Sequence, residues 1–274
     1  MAAEEFETAS PFGVEPIEEI HLDDAPLAKV LVQVRFPSLT VLRDDSVVSD
    51  FASHLGKEYP VLQEQRGINL LVTPTGVTQQ QSNQRLWSLR SRDELWKLTV
   101  SENFLSLDTV KYPTRHEFIS RFEQAAQRFL ELTDPPYLER LGIRYFNRID
   151  NQALISGPLM TMIRKEMLGA LAIQRPPAVQ IRHSVSDSLF TQDEYSIQMR
   201  CGVLPARSVL DIDIAPAEGP IWFLDIDSYV EQKMSFTSEE LASKLRILAD
   251  HAYRMFRWVV NTEFIQHFRG EHER

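Results

Sequence analysis

The sequence contains one cysteine, ten scattered glycines and no apolar run long enough to span a bilayer. Cys201 cannot form an internal disulfide, and its apolar neighbours at alternate positions predict a buried, unreactive thiol. The first residues lack the basic region and apolar core of a secretory signal. These absences favour a protein of the reducing cytoplasm, with no membrane partner.

Recognisable catalytic motifs are absent as well. The glycines are not spaced as a dinucleotide or phosphate loop, and the chain has neither a nucleophile elbow nor a histidine pair at metal-binding helical spacing. We therefore expect no cofactor and name no catalytic residue. Whether the protein is an enzyme stays open, with a non-enzyme favoured.

The acidic charge of the chain is concentrated at its start. The net charge is −10, but residues 1–28 hold eight acidic side chains and no lysine or arginine, so the remaining chain is nearly neutral. This composition predicts an acidic, disordered leader over residues 1–28. The 43% hydrophobic and 25% charged fractions are typical of a globular protein, and nothing resembles a basic nucleic-acid footprint.

Hydrophobic periodicity divides the chain after the leader into two halves, residues 29–137 and 138–274. The first predicts strands and helices in the order Lys29–Phe36 (strand), Ser46–Tyr59 (helix), Ile68–Val72, Leu86–Arg92, Leu95–Ser101 and Phe104–Val110 (strands), and a helix from Thr114, with a polar turn at residues 79–84. The second predicts Leu141–Ile149 (strand), Leu159–Leu171 (helix), Val179–Val185, Tyr195–Val203, Val209–Ile214 and Ile221–Tyr229 (strands), and a helix from Thr237. Thr114 and Thr237 each begin a capping-box pattern.

Both halves therefore follow the order β-α-β4-α, which predicts an internal duplication. The Arg35 and Arg144 strands, each with an arginine followed by an aromatic residue, would lie side by side at the junction. The predicted fold class is α+β: one curved antiparallel sheet with helices on one face and an open face on the other. In element order this is similar to the TATA-box-binding-protein saddle, a resemblance of fold that implies no function.

Side-chain alternation predicts which charged residues occupy the open face. The basic candidates are Arg35, Arg90, Arg92, Arg144 and Arg148, and the acidic ones are Asp211, Asp213, Asp225 and Asp227 on two neighbouring strands. Like charges on adjacent strands repel and must be offset. Three explanations are open: nearby Arg182 and Arg200, a second subunit presenting Arg90, Arg92 and Lys97, or a divalent cation.

A family resemblance rests on three stretches: Ala25-Pro26-Leu27 before Val30–Pro37, then Glu58-Tyr59-Pro60, then Arg140–Ile149. The motifs R-F-P and R-[LIV]-G-[LIV]-R-Y-x-N-x-I are similar to those of a sporadically distributed bacterial protein family with no assigned activity. Phe146 and Arg148 occupy the variable slots. The resemblance implies a bacterial cytoplasmic protein, and a patchy distribution suits mobile-element or defence genes. It brings no catalytic residues.

The function predicted from the sequence is a non-enzymatic binding or assembly module. It would self-associate, as a homodimer, and dock a protein partner through the open face and the nine charged candidates. One alternative is a divalent-metal-dependent hydrolase or phosphoryl-transfer enzyme that uses Asp211, Asp213, Asp225 and Asp227. The other is a nucleic-acid-binding saddle, which the acidic leader disfavours.

Overall fold

A computed structural model describes residues 10–13, 17–73, 76–176, 178–209, 211, 213–235 and 237–270. Within them, nine strands form one open, curved sheet in the order β2-β3-β4-β5-β1-β6-β9-β8-β7, and every neighbouring pair is antiparallel. The strands are β1 (Leu27–Arg35), β2 (Val61–Thr73), β3 (Gly76–Arg90), β4 (Trp96–Ser101), β5 (Phe104–Thr109), β6 (Arg140–Ile149), β7 (Ser184–Gln192), β8 (Tyr195–Leu204) and β9 (Ile221–Val230).

The helices pack on one face of this sheet. They are α1 (Asp45–Leu55), α2 (Arg115–Thr133), α3 (Gln152–Ser156), α4 (Leu159–Met162), α5 (Lys165–Leu168), α6 (Ser238–Val259) and α7 (Thr262–Phe268). None of them has the length and apolarity that a crossing of a lipid bilayer requires. The predicted α+β class, with a curved antiparallel sheet and helices on one face, is confirmed.

The two halves meet at the pairing of β1 with β6. These strands run antiparallel, with Val32 opposite Ile143 and Leu31 opposite Arg144. The expected juxtaposition of the Arg35 and Arg144 strands is therefore correct, and the sheet is continuous across the junction. The first half has the expected order β-α-β4-α. The duplication itself stays a prediction, because the second half departs from that order.

The predicted strand Val209–Ile214 is wrong. The described residues between β8 and β9, namely 205–209, 211 and 213–220, form a loop, and Leu210 and Ile212 lie outside the described residues. The described second half therefore contributes four strands to the sheet instead of five. In this loop the Asp211 side chain accepts a hydrogen bond from the backbone N–H of Asp213 at 2.9 Å. Such a local bond offers the backbone an alternative to a strand ladder.

Other predicted boundaries are also corrected. The helix predicted over Leu159–Leu171 is broken, because Ile163 forms a β-bridge with Val260 and the N–H of Arg164 donates to the carbonyl of Val259. The polar segment 79–84 lies inside the long strand β3 instead of in a turn. The strand predicted over Val179–Val185 begins only at Ser184, as β7.

Two hydrophobic clusters fill the space between helices and sheet. One packs α1, α2 and the start of α6 on the first-half strands, and Leu98, Leu107 and Phe118 are fully buried in it. The other packs the rest of α6 with α7 on β8 and β9. Cys201 belongs to the second cluster, which confirms the predicted burial of this thiol, and burial raises its pKa to about 12.

Part of the acidic leader is attached to the body of the protein. Residues 1–9 and 14–16 lie outside the described residues, so the predicted disorder stays a prediction there, whereas for residues 17–28 it is wrong, since Leu27 already belongs to β1. Ile20 and Leu22 pack against the second cluster, and the N–H of Asp24 donates to the carbonyl of Phe268. Phe12 packs on Phe190 with ring centroids 5.2 Å apart. The described stretch 17–26 is thus held against the helices.

Candidate functional site

The open face of the sheet, opposite the helices, is built by strand alternation. In β1 the valines Val30, Val32 and Val34 point into the core, so the residues between them point the other way. Register carries this pattern across the sheet: Leu31 lies opposite Asp108 on β5 and Arg144 on β6. Arg144 in turn lies opposite Asp227 on β9, so charged residues of β5, β6 and β9 share the face.

The loop of residues 205–220, here named the crossing loop, spans this face from the second half to the first. Lys29 on β1 donates to Asp211 at 3.0 Å and to Asp213 at 2.7 Å. Lys97 on β4 also donates to Asp213, and Arg90 on β3 lies 3.8 Å from its carboxylate. Four bonds or ion pairs therefore connect the loop to strands that the second half does not contain.

Beneath the loop lies a buried carboxylate, Asp108 on β5. Its oxygens are 3.7 Å from the ammonium of Lys29 and 3.4 Å from that of Lys97, and only 5% of the residue is exposed. The cluster of Lys29, Lys97, Asp108, Asp211 and Asp213 thus alternates positive and negative groups. Charges taken this far out of water need such compensation to be tolerated.

A separate cluster of charged residues on the open face contains the aspartates of β9. Arg144 binds Asp225 through two hydrogen bonds, Nε to Oδ1 at 2.6 Å and Nη2 to Oδ2 at 2.9 Å, and Arg200 adds a third at 2.5 Å. Asp227 accepts from Arg140 at 2.8 Å, and the Arg140 guanidinium stacks 4.3 Å above the Tyr229 ring. These arginines remain 14–32% exposed, so their outer edges stay available to a partner.

The pKa shifts follow from burial and pairing. Burial acts to raise the pKa of Asp213, but the ammonium groups of Lys29 and Lys97 outweigh it and lower the value to about 2. For Asp108 burial prevails, so its pKa is raised despite both lysines. Burial likewise raises the pKa of Asp227 in spite of Arg140 and Arg144. The three carboxylates of one face therefore titrate differently.

The structure divides the predicted acidic group. Asp225 and Asp227 lie on the open face of β9, as expected, whereas Asp211 and Asp213 reach it from the crossing loop and not from a strand. Arg200 offsets Asp225, as one of the three explanations required, but Arg182 lies outside any strand. Among the described residues, no three His, Cys, Asp or Glu side chains converge as metal ligands. Lys29 occupies the centre of the loop cluster instead.

The basic candidates also differ in position. Arg90, Arg144 and Arg148 lie on the open face, and Arg148 donates to the carbonyl of Ala215 in the crossing loop at 2.7 Å. Arg35 ends β1 and is exposed. The predicted position of Arg92 on the open face is wrong. Strand β3 ends at Arg90, and Arg92 is an exposed residue of the β3–β4 turn.

Sequence reasoning missed the roles of Lys29, Asp108 and Arg140. The alternation pattern places Asp108 on the open face, but its burial depends on a loop that returns from about a hundred residues further along the chain. Nothing in the sequence around Asp108 indicates that the crossing loop covers it. Arg140 begins the conspicuous β6 stretch, and only the register of β6 with β9 brings it to Asp227.

Comparison with models of known protein families and with curated proteins finds no match for this chain. The resemblance to a sporadically distributed bacterial family therefore stays a prediction, and the functional argument depends on the geometry of the open face.

Proposed function

We propose that the protein is a binding and assembly module without catalytic function, which pairs with a second copy of itself and docks a protein partner through the open face. The partially exposed guanidinium groups of Arg144, Arg148 and Arg200 would provide polar contacts, since arginine is enriched in protein interfaces.

One observation carries this proposal. At the second-half end of the open face, Val185 and Leu189 on β7 are 45% and 58% exposed, and they alternate with core-facing residues of the same strand. Arg200 on β8 lies directly beside them, opposite Asp187. Apolar side chains beside an arginine are the composition found in the core of protein interfaces, which supports docking at this end of the open face.

The internal pairing of the charges also supports docking over metal chemistry. The carboxylates of the loop cluster are engaged by ammonium groups, and those of β9 by guanidinium groups. A metal-dependent hydrolase would need oxygen ligands that converge on one point. Carboxylates already paired with cations therefore favour docking over metal chemistry.

Self-association is tested by light scattering coupled to gel filtration over a salt series. We expect a molar mass near twice the 31.6 kDa of one chain at low salt, with a decrease towards one chain as salt approaches about 1 M, because screening weakens interfacial ion pairs. Leu189→Glu should shift the low-salt mass towards the monomer.

Ile247→Glu is the matched control. Ile247 is 40% exposed but lies on α6, on the helix side of the sheet, so its substitution should leave the mass unchanged. A monomer at every salt concentration would overturn the self-association part of the proposal. If a random-sequence DNA duplex binds with an affinity that falls steeply with salt, and Leu189→Glu has no effect, the nucleic-acid alternative replaces it.

A further inference from the structure

A cavity of about 580 Å³ lies on the helix side of the junction between the halves, away from the open face. Its floor is β6, with Tyr145 and Asn147; its sides are the β5–α2 connection, with Tyr112 and Arg115, and α6, with Phe256. Residues 19–27 of the leader and β1 form the remaining wall. The volume is in the range of small-molecule sites, which are concave and mostly apolar with a few convergent polar groups.

Two tyrosine hydroxyls point to a hydrogen-bond acceptor in this cavity. The hydroxyl oxygens of Tyr112 and Tyr145 are 3.4 Å apart, and the rings meet edge to face. Burial raises the pKa of both, that of Tyr145 to about 12, so both hydroxyls keep their protons at neutral pH. A hydrogen bond between the two hydroxyls uses the proton of one of them, and within the described part of the chain neither hydroxyl makes another hydrogen bond. The pair therefore offers a spare donor.

An anion partner is also present. Arg115 lines the cavity and binds the carboxylate of Glu19 at 3.0 Å, and a second carboxylate, that of Asp250, lies 3.7 Å from its guanidinium. The side chain of Glu19 is 57% exposed. A half-exposed pair of this kind contributes little to stability, so a competing carboxylate can replace Glu19 at small cost. Glu19 therefore occupies the position that an anionic ligand group would take.

The leader wall is attached to α6 through backbone atoms of Glu18 and Ile20. The N–H of Ile20 donates to the Tyr253 hydroxyl at 2.8 Å, and that hydroxyl and Arg257 each donate to the carbonyl of Glu18 at 3.1 Å. These bonds use backbone atoms of the leader, so they persist when the side chain of Glu19 leaves Arg115. A ligand can thus enter beneath a wall that stays attached to α6.

We propose that this cavity binds a small aromatic carboxylate. The carboxylate takes the place of Glu19 on Arg115, the aromatic ring packs among Tyr112, Tyr145 and Phe256, and a tyrosine hydroxyl donates to a ligand oxygen. The inference is independent of the function proposed for the open face, which lies on the other side of the sheet.

Isothermal titration calorimetry at neutral pH tests the proposal with phenylacetate, benzoate, the neutral phenylacetamide and phenyl phosphate. We expect the two carboxylates to bind and phenylacetamide to bind about tenfold more weakly or not at all, because a hydrogen bond to a charged group is lost. Arg115→Gln should weaken phenylacetate binding by a similar factor. Arg207→Gln, at a fully solvated pair with Glu218, is the control and should have no effect.

Glu19→Gln is expected to strengthen phenylacetate binding, whereas Arg115→Gln weakens it. A damaged fold could not produce tighter binding. The Glu19→Gln substitution removes the nearer of the two carboxylates that pair with Arg115 and leaves Asp250 in place, so phenylacetate should bind up to about fivefold more tightly. This arm remains decisive if Arg115→Gln fails to fold. The proposal is overturned if neither carboxylate binds, if phenylacetamide binds as well as phenylacetate, or if Glu19→Gln weakens binding. Binding of phenyl phosphate alone would overturn the carboxylate assignment and identify a phosphate site.

Discussion

Lys29 is the residue at which the two halves of the chain meet on the open face. It is 6% exposed, and its ammonium contacts Asp108 of the first half and Asp211 and Asp213 of the second. Burial would lower its pKa, but the three carboxylates raise it, so the group stays charged at neutral pH. A single buried cation thus compensates several anions.

Lys29→Met is expected to lower the free energy of unfolding by about 3–5 kcal/mol, because it removes the cation that Asp211 binds and leaves Lys97 as the nearest cation of the buried Asp108. Urea unfolding at neutral pH measures this loss. The control is Arg207→Gln, whose pair with Glu218 is solvated on both sides and should change stability by no more than about 0.5 kcal/mol. If the two variants lose equally little, the cluster does not stabilise the fold.

Asp213 gives the cluster a pH dependence of known sign. Its pKa is about 2 in the folded protein against an ordinary 3.8, so the unfolded chain takes up the proton first as pH falls. The stability that its charge contributes is therefore full above about pH 4 and disappears as pH falls towards 2. Asp108, whose pKa is raised, contributes in the opposite sense, so the wild-type profile alone is not diagnostic.

The comparison of Asp213→Asn with wild type isolates this contribution. We expect the variant to be less stable at pH 6 and the two unfolding free energies to converge between pH 4 and 2, because wild-type Asp213 is then neutral as well. Chemical denaturation at several pH values measures the difference. A constant difference across that range would mean that the ion pairs with Lys29 and Lys97 do not contribute.

At the scale of elements, the crossing loop is a place where the sequence pattern predicts the wrong structure. Residues 209–214 alternate apolar and acidic side chains, as a half-buried strand does, but the aspartates bind lysines of the other half. The broken helix at Ile163 has a similar cause, since its backbone pairs with Val260. In both places a long-range contact overrides a local preference, and such contacts are not encoded in nearby residues.

The helix termini, in contrast, are determined locally and were predicted. Thr237 and Glu240 form a complete capping box at the start of α6, with hydrogen bonds of 2.7 and 3.2 Å. At α2 the Thr114 hydroxyl accepts from the N–H of Glu117, but the Glu117 side chain binds Arg121. The capping box at Thr237 is confirmed with both hydrogen bonds. The one at Thr114 is confirmed only for the bond that the threonine hydroxyl accepts.

Thr237→Ala should lower the free energy of unfolding by about 1 kcal/mol, because it leaves the first-turn N–H of Glu240 without its acceptor. Urea unfolding again provides the measurement. Ser243→Ala, at an exposed interior position of α6, is the matched control and should stay within about 0.5 kcal/mol. A similar effect of both substitutions would argue against a contribution from the cap.

At the scale of the whole molecule, the sequence predicted the antiparallel sheet, its junction at β1 and β6, and the open-face position of Arg144 and Asp225. These features follow from the alternation of apolar side chains and from two similar strands, which are local signals. The sequence could not predict that lysine side chains surround Asp108, Asp211 and Asp213, because this arrangement depends on the path of the crossing loop. The cavity at Tyr145 was not predictable either, because its walls come from the leader, β6 and α6, which are distant in sequence.

The reactivity of a cysteine placed on the open face tests most directly our proposal that a second copy covers this face. Val185→Cys reports on the open face and Ile247→Cys on the helix side, since both parent residues are similarly exposed and native Cys201 is buried. We predict that the thiol at 185 reacts slowly at low salt and several-fold faster at about 1 M salt, while the thiol at 247 is indifferent apart from the general effect of salt. Equal salt responses at the two positions would contradict the account.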